Sequence, residues 1–460
     1  MGTGSPFRHR PERQEEEVFR PSLWFRAVHM RLPTVFLALA VSTPLFASTI
    51  VFRDANVISM TSPKVAEKQT VVVKDGKIES ILKAGARLPE DATVIDASGK
   101  YLMPGLGEMH GHIPPPNAPA GLLDDVLYLY LANGITTVRG MLGHPGQTTI
   151  RDEQKKGFVI APNLYVAGPS FNGQSVNSPE EAIAKVHQQK KEGWDLLKVH
   201  PGLTRAEYDA MAKTAKEEGM RFAGHVPEDV GLMHAIEMGH ETFDHIDGYL
   251  EYVTDAKGVI DEKKLAEAVK KSKEAGVWIV PTSALWRILY NGVPLQTLKD
   301  YPELKYVPVT ATGGWSKLYE QRAAELKPDE VKLMLDNRTR ILRALHEGGV
   351  KILMGTDAPQ QFSVPGFSLH RELLEMKAAG MSNYEILKSG TVNVGEYFKK
   401  QDSFGTIEPG KRADILLLGA NPLTDITNVD KIEGVMVRGK WYPKKDIDER
   451  LLNIAAKYAP

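Results

Sequence analysis

Cysteine is absent from all 460 residues. That single absence removes disulfides, thiolate metal sites and a cysteine nucleophile. It does not exclude an extracellular location, because secreted chains of this size hold together without disulfides. Net charge is almost absent too: Lys plus Arg total 57 against 58 for Asp plus Glu, so no global field is available to hold nucleic acid or an anionic membrane. Long apolar runs are missing as well. The one candidate, residues 32 to 48 (LPTVFLALAVSTPLFAS), is interrupted by Pro44 and falls short of the roughly 20 residues a membrane span needs. What is there is ordinary globular material. With 42% hydrophobic and 25% charged residues a wholly disordered or fibrous chain is excluded, and the length suits an α/β barrel of about 250 residues with an accessory domain.

The apolar run follows Met30-Arg31 and ends in small residues at Ala47-Ser48. A positive start, an apolar stretch and a small-residue end describe a secretory signal over 30–47, cleaved near Ala47-Ser48. An uncleaved anchor or a buried N-terminal helix is the other reading. The signal reading makes Met30 the natural start and 1–29 an upstream extension, and it makes the mature protein secreted or periplasmic with no membrane attachment.

From residue 48 to 103 the chain reads as strands: IVFRDANVI, then TVVVKDGKIESIL with Asp75-Gly76 as a hairpin turn, then TVIDASGKYLMPG. Strand character returns after 404 as ADILLLG and GVMVRGKWY, with a turn at Arg438-Gly439. Between these ends, over 104–404, eight apolar runs alternate with helical stretches: GLGEMHGH, ITTVRGML, LYVAGPSF, DLLKVH, RFAGHV, ETFDHI, WIVPTSA and KILMGTDA. Eight is the number a closed (β/α)8 barrel requires. Capping boxes are expected at Ser178–Glu181, Thr204–Glu207 and Ser382–Glu385, and helix stops at Gly193, Gly219, Gly276 and Gly349. The expected fold is therefore α/β: a (β/α)8 TIM barrel at 104–404, a small β-sandwich built from 48–103 plus 405–447, and a helical tail at 448–460.

The residues that carry chemistry sit at strand ends. His110 and His112 are two apart on the first barrel strand, so a period of two points both imidazoles to one side, where they can grip one metal ion. Lys198, His225, His245 and Asp357 end the fourth, fifth, sixth and eighth runs, on a barrel's active face. Any one of them alone reads as a satisfied polar group; their joint placement on five strand ends reads as a metal site. Lys198 is the odd member, since an ammonium repels cations and burial disfavours its charge. Reaction of the neutral amine with CO2 gives a carbamate, an anion whose two oxygens bridge two metals. The bland alternative is a rim lysine paired with Asp or Glu. Substrate contacts are expected at His200, Arg139, His144 and Tyr249, with His200 equally readable as a plain rim residue. Three patterns are set aside. GTIEPGK at 405–411 lacks the Ser or Thr of a phosphate loop, GPSFNG is not a nucleophile elbow, and HETFDH is not a zincin helix.

The motifs MPGLGEMHGH, GITTVRGM, DLLKVH, GHV, HETFDHI, LMGTDAP and GTIEPGKRADILLLGANPL resemble those of the amidohydrolase superfamily, within it the imidazolonepropionase-like and prolidase-like enzymes. They run from about residue 50 to about 440. The resemblance implies that one metal takes His110, His112 and Asp357, that the other takes His225 and His245, and that a carboxylated Lys198 and a hydroxide bridge them. It implies Asp357 as the catalytic acid/base, two divalent ions, zinc by the donor set, N6-carboxylysine at Lys198, and a small-molecule substrate. Two positions depart from the pattern: Glu108 stands where Asp is frequent, and His200 where many relatives carry Tyr. The expected reaction is hydrolysis of an amide or peptide bond in an N-acyl amino acid or dipeptide. The same site can act on a lactone, ester, phosphotriester or cyclic imidazolone, and a non-catalytic binding barrel is the rival from another class. A homo-oligomer is compatible with the sequence, which carries no signal for it.

Overall fold

The computed structural model describes residues 49–459; the expected upstream extension and signal peptide lie outside them. Among the described residues no helix is long and apolar enough to cross a membrane.

Both ends of the chain contribute to one sheet. It contains β1 (Thr49–Val57), β2 (Ala66–Lys74), β3 (Lys77–Lys83), β4 (Thr93–Asp96), β5 (Tyr101–Pro104), β14 (Ile415–Leu418), β15 (Ile432–Val437) and β16 (Lys440–Pro443). The order is β16-β15-β14-β5-β1-β2-β3, with β4 paired to β1. The sandwich expected from these segments therefore needs correcting, because hydrogen bonding makes them one continuous sheet rather than two facing ones. The sheet folds over its own core. Ile78 of β3 and Met436 of β15 belong to one apolar cluster with Phe52, Val71 and Leu417, and Lys77 is bridged to Arg412 just before β14. The two expected hairpin turns meet there. Asp75, Gly76, Arg438 and Gly439 all have positive φ, the signature of the tight primed turns that suit twisted strands, and a side chain on Gly439 would collide with Gly76. The terminal helix spans Lys444–Tyr458. It begins before residue 448 because Pro443, at φ −69°, both ends β16 and presets helical geometry.

Each of the eight apolar runs carries a strand: β6 (Leu106–Gly111), β7 (Ile135–Gly140), β8 (Asn163–Val166), β9 (Leu197–Val199), β10 (Phe222–Gly224), β11 (Thr242–Asp244), β12 (Trp278–Val280) and β13 (Lys351–Ile352). All pair in parallel, in a three-stranded sheet β6-β7-β8 and a five-stranded sheet β13-β12-β11-β10-β9. Parallel strands flanked by helices are covered on both faces, and β6 and β7 are buried at every residue. The helices start where the chain supplies caps. Thr204–Glu207 and Ser382–Glu385 form full capping boxes. At Ser178 the hydroxyl accepts from Glu181 N, while the Glu181 carboxylate turns to Asn177 instead of completing the box. Gly193 and Gly276 cap their helices in the left-handed conformation; Gly219 and Gly349 follow one residue after the cap.

Candidate metal centre

The C-terminal ends of β6, β9, β10, β11 and the segment following β13 bring six ligand-type side chains together. His110 lies on β6 and His112 just beyond it. His112 N donates to Ala358 O at 2.7 Å and Asp357 N to His110 O at 2.6 Å, so the strand-one and strand-eight ends are stitched directly to each other. His112 Nε2 is 2.7 Å and His110 Nε2 3.6 Å from Asp357 Oδ1, and His245 Nε2 is 3.7 Å from Asp357 Oδ2. The imidazoles of His110 and His245, and of His245 and His225, are 4.5 Å apart between ring centres. Lys198 is fully buried on β9, its Nζ 3.3 Å from His110 Nε2. Gly224 at φ 126° makes room beside it: a Cβ there would strike Val199 O and stand 3.0 Å from the lysine Cδ.

Two of the histidines are oriented by hydrogen bonds at Nδ1, and a third, His110, has a carboxylate beside that atom. His110 Nδ1 lies 2.8 Å from Asp244 Oδ2, His225 Nδ1 is 2.6 Å from Asp247 Oδ2, and His245 Nδ1 is 2.7 Å from Thr282 Oγ1. Fixing one ring nitrogen leaves the other as a lone-pair donor, the arrangement by which proteins aim imidazoles at metals. Burial and the neighbouring Lys198 push His110 well below its usual pKa, so it is neutral and suited to ligation. Burial alone would raise Asp357, but His110, His112 and Lys198 beside it hold its carboxyl down at about 2. His245 Nε2 is buried without a hydrogen-bond partner, and Asp357 Oδ1 makes no well-aligned hydrogen bond although His112 Nε2 is 2.7 Å away. Orphaned polar atoms in a nearly dry site are rare unless something else satisfies them, and His110, His112 and Asp357 lie close enough together to hold one ion. The donor set fits a divalent metal.

The backbone is contorted where these groups emerge: His245, Ile246, Thr282 and Asp357 all have φ between 46° and 63°. Non-glycine residues accept that conformation at a cost, and such positions gather at functional sites. Glu108 helps hold Asp357's segment. Fully buried, it accepts from His110 N at 3.0 Å, Thr356 N at 2.8 Å and Thr356 Oγ1 at 2.6 Å, and burial lifts its carboxyl to about 7. Sequence reasoning noted Glu108 only as a departure and overlooked Asp244, Asp247 and Thr282. Asp244 and Asp247 flank His245 within two positions, which is the signal that was available for them; Thr282 had none.

Of the four expected substrate contacts, His200 and His144 border the centre. The His200 ring is 4.9 Å from His225. His144 is partly buried, and burial together with His112 lowers its pKa. Arg139 and Tyr249 are fully buried, with their polar groups bonded within the interior. Arg139 is fully buried and its five N–H groups are committed to Met109 O, Thr242 Oγ1, Tyr397 OH and both oxygens of Asp244. It serves Asp244, whose charge it stabilises against burial. Tyr249 is fully buried in the core, its hydroxyl 2.6 Å from Ser272 Oγ.

Known proteins share this chain's pattern. The Amidohydrolase family model matches residues 101–442. An adenine deaminase of Rubrobacter xylanophilus is 25% identical across 81% of this chain, which spans about half (54%) of that protein's length. A 5-methylthioadenosine/S-adenosylhomocysteine deaminase of Caldanaerobacter subterraneus subsp. tengcongensis is 24% identical over 86% of this chain and 93% of its own. In fold, a Xaa-Pro dipeptidase crystallised with methionine in its active site superposes with a TM-score of 0.67 at 22% identity, covering 86% of this chain and all of that one. A family match that takes in β6 through β15 and every residue of the centre places this chain in the amidohydrolase family.

Proposed function

We propose that this protein hydrolyses an amide or peptide bond in an N-acyl amino acid or dipeptide, at two zinc ions held by His110, His112, Asp357, His225, His245 and a carboxylated Lys198. The observation that carries the reading is the convergence of His110, His112 and His245 on the carboxylate of Asp357, with the His225 ring 4.5 Å from that of His245. Divalent ions bound there lower the pKa of a water and polarise a carbonyl. The chain's own task is proton traffic. Asp357, beside His110 and His112, takes a proton at Oδ from the attacking water and returns it to the leaving nitrogen. Carboxylation of Lys198 removes a positive charge from a fully buried site and supplies two oxygens in its place. Family membership supports cleavage of a carbon–nitrogen bond, and the dipeptidase fold match supports the amide form.

The two deaminase relatives favour a second reading, in which the carbon–nitrogen bond broken is that of an aromatic amine. One screen separates them. N-acyl amino acids, dipeptides and aminopurines are offered to the zinc-loaded protein: release of a free amino acid supports the first reading, ammonia the second, and neither contradicts both.

For the architecture, we take the two parallel sheets to close as a (β/α)8 barrel. The Ala167–Leu196 bridge supports this between β8 and β9, and the bond from Met109 N to Met354 O supports it between β6 and the extension of β13. We also read the mature protein as exported, and the mature N-terminus tests this: a chain isolated from its host that begins before residue 45 contradicts it.

A further inference from the structure

A second arginine borders the centre, and nothing so far accounts for it. Arg338, on the helix Pro328–Glu347, is 5% exposed. Its Nη2 donates to His245 O at 2.5 Å, and its Nε has no partner. The guanidinium lies over the Trp286 ring, 4.6 Å from its centre, and that ring is 5.9 Å from the His245 imidazole. Trp286 Nε1 is buried without a partner as well. Tyr290 packs on the indole at 5.1 Å, and both aromatic residues are partly exposed, while the two unbonded donors beside this metal ligand are themselves buried.

The acidic groups facing Arg338 are Asp247, Glu251, Glu372 and the Tyr290 hydroxyl. Asp247 is engaged with His225, and Glu372 accepts from Ser283 N and Ala284 N. Glu251 is exposed. No carboxylate is within ion-pair distance of Arg338 among the described residues. A buried guanidinium carries five donors in a fixed fork that matches two carboxylate oxygens, and a buried cation with no carboxylate bonded to it is costly unless a ligand supplies one.

We infer that Arg338 and the indole N–H of Trp286 receive the free carboxylate of the substrate, which makes the substrate an N-acyl amino acid or a dipeptide cleaved next to its C-terminal residue. This rests on the amide-hydrolysis reading. An α-carboxylate is two bonds from the scissile nitrogen, so its receptor must adjoin the metal ligands, as Arg338 does through the backbone of His245. The anchor also settles orientation, holding the amide across the metals while the aromatic faces of Trp286 and Tyr290 border the side chain.

The test compares N-acetyl-L-leucine with N-acetyl-L-leucinamide on the zinc-loaded full chain. kcat/KM is the readout where a compound is cleaved, and Kd by calorimetry where it is not. The acid is expected to be favoured about 10- to 100-fold, the usual worth of a charge-assisted hydrogen bond. In Arg338→Gln the ratio falls towards one through loss on the acid, and in Trp286→Phe, which keeps the ring, it falls several-fold. Equal handling of the two compounds by the unaltered protein overturns the inference, and so does detectable binding of neither. So does an Arg338→Gln protein in which both decline together and the ratio survives, the mark of a residue that only pins His245. If the Arg338 variant does not fold, the unaltered protein and Trp286→Phe still decide. Tighter binding of the acid without cleavage of either compound overturns the hydrolysis reading and leaves the anchor standing.

Discussion

The two arginines beside the metal centre sit in opposite circumstances. Arg139, behind His110, has every N–H bonded and shares its charge with Asp244. Arg338, behind His245, makes one hydrogen bond and leaves Nε open. One side of the centre is a closed lattice of interior bonds that fixes a ligand; the other is held by fewer bonds and keeps donors in reserve. The lesson is that burial alone does not tell a structural cation from a recognising one. The count of satisfied donors does.

Four substitutions sharpen or break that contrast, beginning with the residue both sides share. Lys198→Ala should abolish bound metal and activity together, with partial recovery when a short carboxylic acid and excess metal are added, since the acid can offer the lost oxygens. Metal analysis and turnover read this out, and full retention of both would make Lys198 a plain rim cation. Asp357→Asn should keep much of its metal while kcat falls by about 10² to 10⁴, the worth of a placed acid/base; near-normal turnover would remove it from the mechanism. Arg139→Met leaves Asp244 buried without its partner and should cost about 3–5 kcal/mol in chemical unfolding. Arg338→Gln gives up one hydrogen bond and should cost only about 0.5–1.5 kcal/mol. Equal losses at the two arginines would erase the distinction drawn between them.

The smallest effect concerns pH. Glu372 is fully buried and caps the helix Ser283–Leu289 that carries Trp286; burial lifts its carboxyl from 4.5 to about 8. Between those values the folded chain keeps a proton that the unfolded chain releases, so stability contributed here is present below the lower value and is lost as pH rises through the upper one. Glu372→Gln should flatten the decline in unfolding free energy from about pH 5 to 8. An unaltered slope would show that Glu372 is ionised in the folded protein.

The eight strands were legible because parallel strands covered on both faces must be apolar, and GLGEMHGH and LMGTDAP announce that apolar demand along with the polar groups that interrupt it. The same covering hid the role of Arg139. On a strand buried on every side, alternation does not say whether a side chain enters the interior or reaches the rim, and Arg139 enters. Tyr249 follows the ligand His245 by four positions, but the chain turns there into the helix Tyr249–Val253 and carries the ring to the core. SALWRILY, just beyond the seventh run, is mostly helix. Trp286 and Arg338 are 52 positions apart on two helices, a pairing no local spacing encodes. The single folded-over sheet was hidden because each hairpin is local, while the contact between Gly76 and Gly439 depends on how the two chain ends come together.

The account stands on two ions sharing one cluster of side chains. Elemental analysis of the purified chain after reconstitution with zinc and bicarbonate tests this most directly. Two zinc ions per chain, falling below one in Lys198→Ala, is the expected result; a single ion per chain at saturation, unchanged in Lys198→Ala, would contradict it.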